Sequence, residues 1–211
     1  MRYFIKTPWW LKKLYGSYTW SIDAKENDLY LTFDDGPHPI ATPFVLDELK
    51  NHNAKGTFFC IGKNVVAHPH IYRRILDEGH AVGNHTHNHL NGWKTRDTLY
   101  LSDAREASHH IDTTLFRPPY GRITTFQGKN IRKLLTTREM SIIMWDVISG
   151  DFDESIDGEQ CLKNIIMNAR KGSIIVCHDS QKAFPRLEKY LPMVLKYFGE
   201  KGYQFRKIGH S

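Results

Sequence analysis

Short apolar runs alternate with longer amphipathic stretches along this chain. Most of the runs are bounded by turn-forming residues, which is typical of buried strands. The predicted strands are Leu29–Phe33, Thr57–Ile61, Ala81–Gly83, Thr114–Phe116, Ile142–Val147, Ser173–Cys177 and Tyr203–Ile208. The stretches between them repeat apolar residues at helical spacing, and Gly79 and Gly202 stand where two helices should end. The predicted helices are Thr42–Asn51, Asn64–Glu78, Thr95–Ile111, Thr124–Thr136, Gly158–Arg170 and Leu187–Lys201.

Strands that alternate with helices predict a parallel sheet. A chain of 211 residues is long enough for one domain with a full core and short for two. We therefore expect an α/β fold, a single-domain distorted (β/α)7-type barrel that is TIM-barrel-like and spans residues 27–211. An open doubly wound sheet is also compatible, because periodicity does not show closure. Either fold gathers functional groups at the carboxyl ends of the strands.

Residues 1–26 precede the barrel as an aromatic and basic arm. Its aromatic and aliphatic residues are interleaved with lysines: Trp9, Trp10, Leu11, Leu14, Tyr15 and Trp20 with Lys6, Lys12 and Lys13. One interpretation packs the aromatic side chains across the far end or the open seam of the barrel. The other is peripheral membrane contact through residues 1–20. No signal peptide or membrane span is visible, so we expect a protein of the cytoplasm or the inner-membrane periphery.

Composition and charge narrow the class of protein. With 40% apolar and 25% charged residues, the sequence is that of an ordinary globular protein, and we expect a monomer. Much of the net charge of +6 comes from Arg2, Lys6, Lys12 and Lys13, which precede the first acid, Asp23. No basic stripe runs through the chain, which argues against nucleic-acid binding. Cys60, Cys161 and Cys177 lie far apart in apolar contexts, so we expect buried thiols.

The first predicted strand ends in "LYLTFDDGPHP". Asp34 and Asp35 stand where the strand breaks into a Gly-Pro turn, so the two carboxylates can point in different directions and do different work. An ordinary Asp-rich turn is the alternative.

The third predicted strand ends in "GNHTHNHL". His85 and His89 are four residues apart, which places both imidazoles on one face if the segment turns helically. Two such histidines and a carboxylate can hold a divalent metal and leave a position open for water or substrate. His87 should face elsewhere, beside the site or toward solvent. A histidine cluster can also be incidental in a chain with 12 histidines.

Three further predicted strands end in polar clusters. The fourth ends in "FRPPYGR", a rigid turn suited to fixing Arg117 and the Tyr120 backbone N–H, although a structural loop is the alternative. The fifth ends in "MWDVISGDFD" and the sixth in "SIIVCHDS", which supplies His178 and Asp179. Polar clusters at the ends of five of the seven predicted strands indicate one shared site.

Together these segments resemble the polysaccharide deacetylases of the NodB-homology type, carbohydrate esterase family 4. The resemblance covers about residues 29–180 and rests on "TFDDGP", "HTHNH", "RPPYG", "SGDF" and "IVCHDS" in the order of the family's motifs. It implies a metal-dependent hydrolase that removes N-acetyl groups from N-acetylglucosamine-type residues of a polysaccharide, oligosaccharide or other glycan. The implied substrates are peptidoglycan, chitooligosaccharide or related glycans.

The resemblance also assigns roles to individual residues. Asp34 would be the catalytic base, oriented by Arg117. His178 would be the general acid, held by Asp151. The metal ligands would be Asp35, His85 and His89, and the metal would be Zn²⁺, with Co²⁺, Ni²⁺ or Mn²⁺ as alternatives. The Tyr120 backbone N–H would help to hold the oxyanion, and the substrate would contact Pro118, Pro119, Tyr120, Phe152 and Val176.

The implied chemistry suits the hydrolysis of an acetamide. A divalent metal polarises the carbonyl and lowers the pKa of water. Asp34 would accept the water proton, and His178 would protonate the departing amine.

Three positions depart from the pattern of the family. Ile148 and Phe152 stand where many members have Asp and Trp, and Val176 stands where Leu is frequent. These changes leave the sugar preference and the width of the acetyl pocket open. Two alternative functions remain: a deformylase or deacylase acting on a lipid-linked sugar or another amide, and a degenerate sugar-binding module. The presence of all proposed catalytic residues argues against the module.

Overall fold

The computed structural model describes residues 3–134 and 140–209. Its eight-stranded sheet runs in the order β5-β4-β3-β2-β1-β7-β6, with β8 paired to the start of β1. The strands are β1 Asp28–Asp34, β2 Thr57–Cys60, β3 Ala81–Asn84, β4 Leu115–Phe116, β5 Ser141–Ile142, β6 Val147–Ile148, β7 Ile174–His178 and β8 Gln204–Phe205. Every named pair is parallel, and the curled sheet confirms the predicted distorted barrel.

Helices cover the outer face of the sheet. They are α1 Trp9–Leu14, α2 Ala41–Asn51, α3 Gly62–Ala67, α4 Pro69–Asp77, α5 Asp97–Ser108, α6 Thr125–Leu134, α7 Gly158–Ile166 and α8 Phe184–Glu200, with a 3₁₀ turn at Pro119–Gly121. No helix in the described part of the chain is long and apolar enough to cross a membrane.

Alternation along β1 divides the barrel interior from the helical layer. Leu29, Leu31 and Phe33 belong to the large outer core that also contains side chains of α2 and α8. Tyr30 points the other way, into an inner cluster with Phe59. Because side chains alternate along a strand, Asp34 at the end of β1 falls on the inner side, at the mouth of the barrel.

Two predicted elements are each divided in the structure. The predicted strand Ile142–Val147 is two short strands, because β5 pairs with β4 whereas β6 pairs with β7. The predicted helix Asn64–Glu78 breaks at His68, because Pro69 begins a new helix at its first turn. The last two residues of the predicted helix Thr124–Thr136 lie outside the described residues.

The arm lies along the seam between β5 and β6. Lys6 bridges to Val147, and Thr19 bridges to Ile143 on the other side of the seam. The Asp146 carboxylate forms ion pairs with Lys6 and Lys12 and accepts a hydrogen bond from the Ser173 hydroxyl. Burial alone would raise the pKa of Asp146, but these partners outweigh it and lower the pKa. Asp146 therefore ties the arm to the barrel and lies away from the strand ends that carry the candidate site.

The three cysteine thiols are free and buried, as predicted. Cys60 and Cys177 lie on β2 and β7 within the large outer core, together with Cys161 of α7. Burial raises the pKa of all three thiols.

Candidate active site

Asp34 and Arg117 form a buried ion pair at the mouth of the barrel. The Asp34 Oδ1 atom accepts a hydrogen bond of 2.7 Å from Arg117 Nη1. Arg117 also donates to the carbonyls of Ile143 and Met144 and to the Thr32 hydroxyl, and its guanidinium lies 4.0 Å from the centre of the Phe59 ring. A buried arginine with this many partners cannot swing away, so it holds the Asp34 carboxylate in one orientation.

Asp35 faces away from Asp34 because the backbone turns between them. Its φ of 81° lies in the left-handed region and ends the strand geometry. The Asp35 carbonyl accepts a hydrogen bond of 2.7 Å from the Asn64 side chain, which stabilises this turn. The two neighbouring acids therefore reach different groups: Asp34 pairs with Arg117, whereas Asp35 meets two histidines.

The Asp35 carboxylate lies between the His85 and His89 imidazoles. Its Oδ1 atom is 3.7 Å from His85 Nε2 and 3.1 Å from His89 Nε2. This oxygen is buried and has no hydrogen-bond partner among the described residues. Burial would raise the pKa of Asp35, but the imidazoles of His89, His178 and His85 lower it below its usual range. Asp35 is therefore a carboxylate at neutral pH.

His85 is held in the tautomer that a metal ligand requires. Its Nδ1 atom lies 2.7 Å from the Arg117 carbonyl oxygen, which can only accept, so Nδ1 carries the proton and Nε2 is left with a lone pair. Burial lowers the pKa of His85 to about 4, which keeps the ring neutral at physiological pH.

The segment that carries the histidines is a loop, so the predicted helical turn is wrong. Thr86 and His89 both have left-handed backbones, with φ of 63° and 59°. The loop is clamped by Asp103 of α5, whose carboxylate accepts the backbone N–H groups of His87 and Asn88 at 3.0 Å each. The loop nevertheless brings the His85 and His89 rings to 5.0 Å.

The three side chains fit a divalent metal. One ligand atom from each of Asp35, His85 and His89 lies within 4.8 Å of the others. The orphaned Asp35 oxygen would gain a partner, and two imidazole nitrogens with one carboxylate oxygen are a donor set typical of catalytic zinc sites. Co²⁺, Ni²⁺ and Mn²⁺ accept the same donors.

His178, at the end of β7 beside Asp34 of β1, is paired with Asp151. The His178 Nδ1 atom lies 2.7 Å from Asp151 Oδ1, and the other Asp151 oxygen accepts the His178 backbone N–H and the Tyr190 hydroxyl. Burial alone would lower the pKa of His178, but the Asp151 carboxylate outweighs it and raises the pKa to about 10. The ring is therefore an imidazolium at neutral pH, able to give up a proton.

The residues expected to contact substrate differ in accessibility. Tyr120 is 61% exposed and has a left-handed φ of 60°, and its ring centre lies 4.6 Å from that of His89 with the two rings tilted by 55°. Phe152 lies with its ring 5.5 Å from that of His178. Val176 is buried on β7, two residues before His178 and on the same side of the strand. Pro118 and Pro119 are buried, so they shape the loop and offer little surface.

The structure gives supporting roles to two residues, Asp179 and Asp103, that sequence reasoning did not assign. Asp179 is buried, and its carboxylate accepts the Gly36 N–H at 3.0 Å and the Thr42 hydroxyl at 2.5 Å, so it holds the turn that follows Asp35. Its place beside His178 in "CHDS" was a usable signal. Asp103 gave none, because an acid in the middle of a helix is ordinary.

These groups define a class of protein, a (β/α)7 barrel whose mouth holds a buried Asp–Arg pair, a His–Asp pair and a cluster of two histidines and one carboxylate. Comparison with known proteins gives the family. The family model "Polysaccharide deacetylase" matches residues 21–137, and the chain belongs to this family.

Relatives agree over most of the chain. A peptidoglycan-N-acetylglucosamine deacetylase of Bacillus cereus is 31% identical over 196 residues, which is 90% of each protein. A chitooligosaccharide deacetylase of Azorhizobium caulinodans is 38% identical over 165 residues, covering 75% of this chain and 76% of the relative. The crystal structure of the peptidoglycan N-acetylglucosamine deacetylase Bc1960 matches with a TM-score of 0.82 and 30% identity, covering 96% of this chain and 95% of that one. The protein is therefore a polysaccharide deacetylase by family.

Proposed function

We propose that this protein is a divalent-metal-dependent N-deacetylase that acts on N-acetylglucosamine residues of peptidoglycan or chitooligosaccharides. The main support for the proposal is the Asp35 Oδ1 atom, which is buried between His85 and His89 without a hydrogen-bond partner among the described residues. The preceding residue, Asp34, is paired with Arg117. The names of the relatives, which are peptidoglycan and chitooligosaccharide deacetylases, support the substrate class.

Asp35, His85 and His89 would hold the metal, with zinc as the best match to the donors. When bound, such an ion supplies Lewis-acid polarisation of a carbonyl and lowers the pKa of water. The neutral His85 ring and the ionised Asp35 are already in the protonation states that ligation requires.

Asp34 is the proposed general base. Its carboxylate removes a proton from the attacking water while the water oxygen bonds to the acetyl carbon. Arg117 holds this carboxylate in one orientation through its 2.7 Å hydrogen bond. The Tyr120 backbone N–H would stabilise the negative charge that develops on the former carbonyl oxygen. The contact between the Tyr120 and His89 rings supports this role.

His178 is the proposed general acid. Its imidazolium gives a proton to the amide nitrogen as the carbon–nitrogen bond breaks, so acetate and the free amine of the sugar leave together. Asp151 keeps the ring charged and fixed by the 2.7 Å contact to Nδ1, which leaves Nε2 to donate. The base and the acid thus come from paired positions at the ends of the neighbouring strands β1 and β7.

The test is an analysis of products. Purified protein with added Zn²⁺ would be incubated with chitooligosaccharides, peptidoglycan fragments and lipid-linked formylated sugars, and acetate, formate and ammonia would be measured. We expect acetate and a matching amount of free amine from the first two substrates. Asp34→Asn is the matched control and should release none. Formate from the lipid-linked sugar without acetate from the glycans would overturn the proposal.

A further inference from the structure

A second group of metal-binding side chains lies outside the catalytic site. One ligand atom from each of His87, Glu106 and His110 lies within 4.8 Å of the others. The same is true of Asp35, His85 and His89. The two groups are also alike in detail. His110 Nε2 is 3.7 Å from Glu106 Oε1, and His85 Nε2 is 3.7 Å from Asp35 Oδ1. The second group therefore has the compactness of the catalytic one.

His87 is fixed in place and carries an unsatisfied atom. Its Nδ1 atom is buried without a hydrogen-bond partner among the described residues. The side chain packs so closely on Gly62 that a Cβ at this glycine would lie 2.6 Å from Nδ1. Its backbone N–H is held by Asp103 at 3.0 Å. A preorganised imidazole loses little freedom when it binds an ion.

The other two side chains approach His87 from α5 and the residues just after it. Asp103, Glu106 and His110 follow one another at spacings of three and four residues, so they project from one side of the helix and its last turn. Glu106 and His110 are exposed, which gives an ion a path from solvent. The rings of His87 and His110 are 5.8 Å apart between centres. Small rotations of the exposed side chains would bring the nitrogens and the oxygen to a common ion, since tetrahedral zinc has ligand bonds of about 2.0–2.2 Å.

We propose that His87, Glu106 and His110 form a second site for a divalent transition metal, with Zn²⁺, Ni²⁺ and Cu²⁺ as the class of ion. Imidazole and carboxylate donors suit these ions and disfavour Ca²⁺ and Mg²⁺. The ion would connect the loop that carries His85 and His89 to the end of α5, whereas Asp103 already clamps this loop to the middle of the same helix. This site is independent of the catalytic chemistry and goes beyond the proposed function.

Zn²⁺ titration of the metal-free full chain, followed by calorimetry and by equilibrium dialysis, tests the site. We expect about two equivalents to bind the wild type and about one to bind His110→Ala or Glu106→Gln. His52→Ala, which removes an exposed histidine elsewhere, is the matched control and should bind as the wild type does. His89→Ala, which disables the catalytic ligands, should retain the second equivalent, and His89→Ala with His110→Ala should lose it.

The readout is binding alone, so it does not depend on whether the protein deacetylates glycans. Circular dichroism would verify that the exposed-residue variants fold. Equal stoichiometry and affinity in His110→Ala, Glu106→Gln and His52→Ala would overturn the proposal, as would a wild type that binds a single equivalent.

Discussion

Replacing Asp151 with Asn should move the alkaline limb of the activity profile to lower pH. The Asp151 carboxylate is completely buried and lies 2.7 Å from His178 Nδ1, and it holds the pKa of His178 at about 10. Asparagine has nearly the same shape and can still accept the hydrogen bond of the Tyr190 hydroxyl, but it carries no charge. The substitution therefore removes the electrostatic stabilisation of the imidazolium and leaves most of the packing intact.

The size of the shift follows from the geometry. Two unit charges about 4 Å apart interact by about 4 kcal/mol at an effective dielectric constant of about 20, and 1.36 kcal/mol is one pKa unit. The loss of this interaction should therefore change the pKa of His178 by at most about three units. A carboxylate paired with a titrating group usually shifts the pKa of that group by about 1–3 units. We expect the pKa of His178 to fall from about 10 by that amount, because the burial that opposes the charge remains.

The assay is the pH dependence of kcat and kcat/KM for acetate release by wild type, Asp151→Asn and Tyr190→Phe. As the proposed general acid, His178 must be protonated to act, so activity should fall as pH rises through its pKa. Asp151→Asn should therefore lose activity at lower pH than the wild type does. Tyr190→Phe removes one hydrogen bond to Asp151 but keeps the charge of the Asp151 carboxylate. The alkaline limb of the pH profile should therefore move less in Tyr190→Phe than in Asp151→Asn. Zinc content should be unchanged in both variants. An alkaline limb that stays in place in Asp151→Asn would refute the assignment of His178 as the acid tuned by this carboxylate.

Three further substitutions test how the site is supported. Arg117→Lys should reduce kcat and keep zinc. It should also lower the free energy of unfolding, measured by urea titration, by at least about 2 kcal/mol, because one ammonium cannot donate to all the carbonyls and the hydroxyl that the guanidinium contacts. An unchanged kcat would contradict this prediction. Tyr3→Ala should raise KM by up to about tenfold, since the Tyr3 ring lies 4.9 Å from the Phe152 ring beside His178, whereas Tyr3→Phe should resemble wild type in KM. Asp103→Ala should weaken zinc binding about 10–100-fold in a chelator competition, because it releases the loop that carries His89. A zinc affinity equal to that of the wild type would contradict the role of Asp103 in holding this loop.

Hydrophobic pattern was sufficient for the strands that carry the site, because buried parallel strands are continuous apolar runs. The run ending at Phe33 differs from β1 by a single residue at either end, and the run Ser173–Cys177 begins and ends one residue before β7. The prediction of one continuous strand at Ile142–Val147 is wrong because the seam of the barrel falls within this segment. The arm supplies backbone hydrogen-bond partners there, and the hydrophobic pattern of the segment does not show them.

Site residues were predictable where a strand end presents them and unpredictable where a distant helix supports them. His85 and His89 were identified from their spacing, yet the helical turn invoked to join them is absent, and two left-handed residues do the same work. The clamp by Asp103 depends on a tertiary contact 15 and 16 residues away. No local pattern encodes that contact.

In the proposed mechanism the two adjacent aspartates have different roles, Asp35 as a metal ligand and Asp34 as the base. Zinc content and acetate release, measured together on Asp34→Asn, Asp35→Asn and wild type, test it most directly. Asp34→Asn should keep its catalytic-site zinc and lose acetate release, because the amide fills the same space but cannot accept the water proton. Asp35→Asn should lose that zinc along with the activity, since it removes the charged ligand. Equal loss of zinc in both variants, or acetate release by Asp34→Asn at the wild-type rate, would contradict the account.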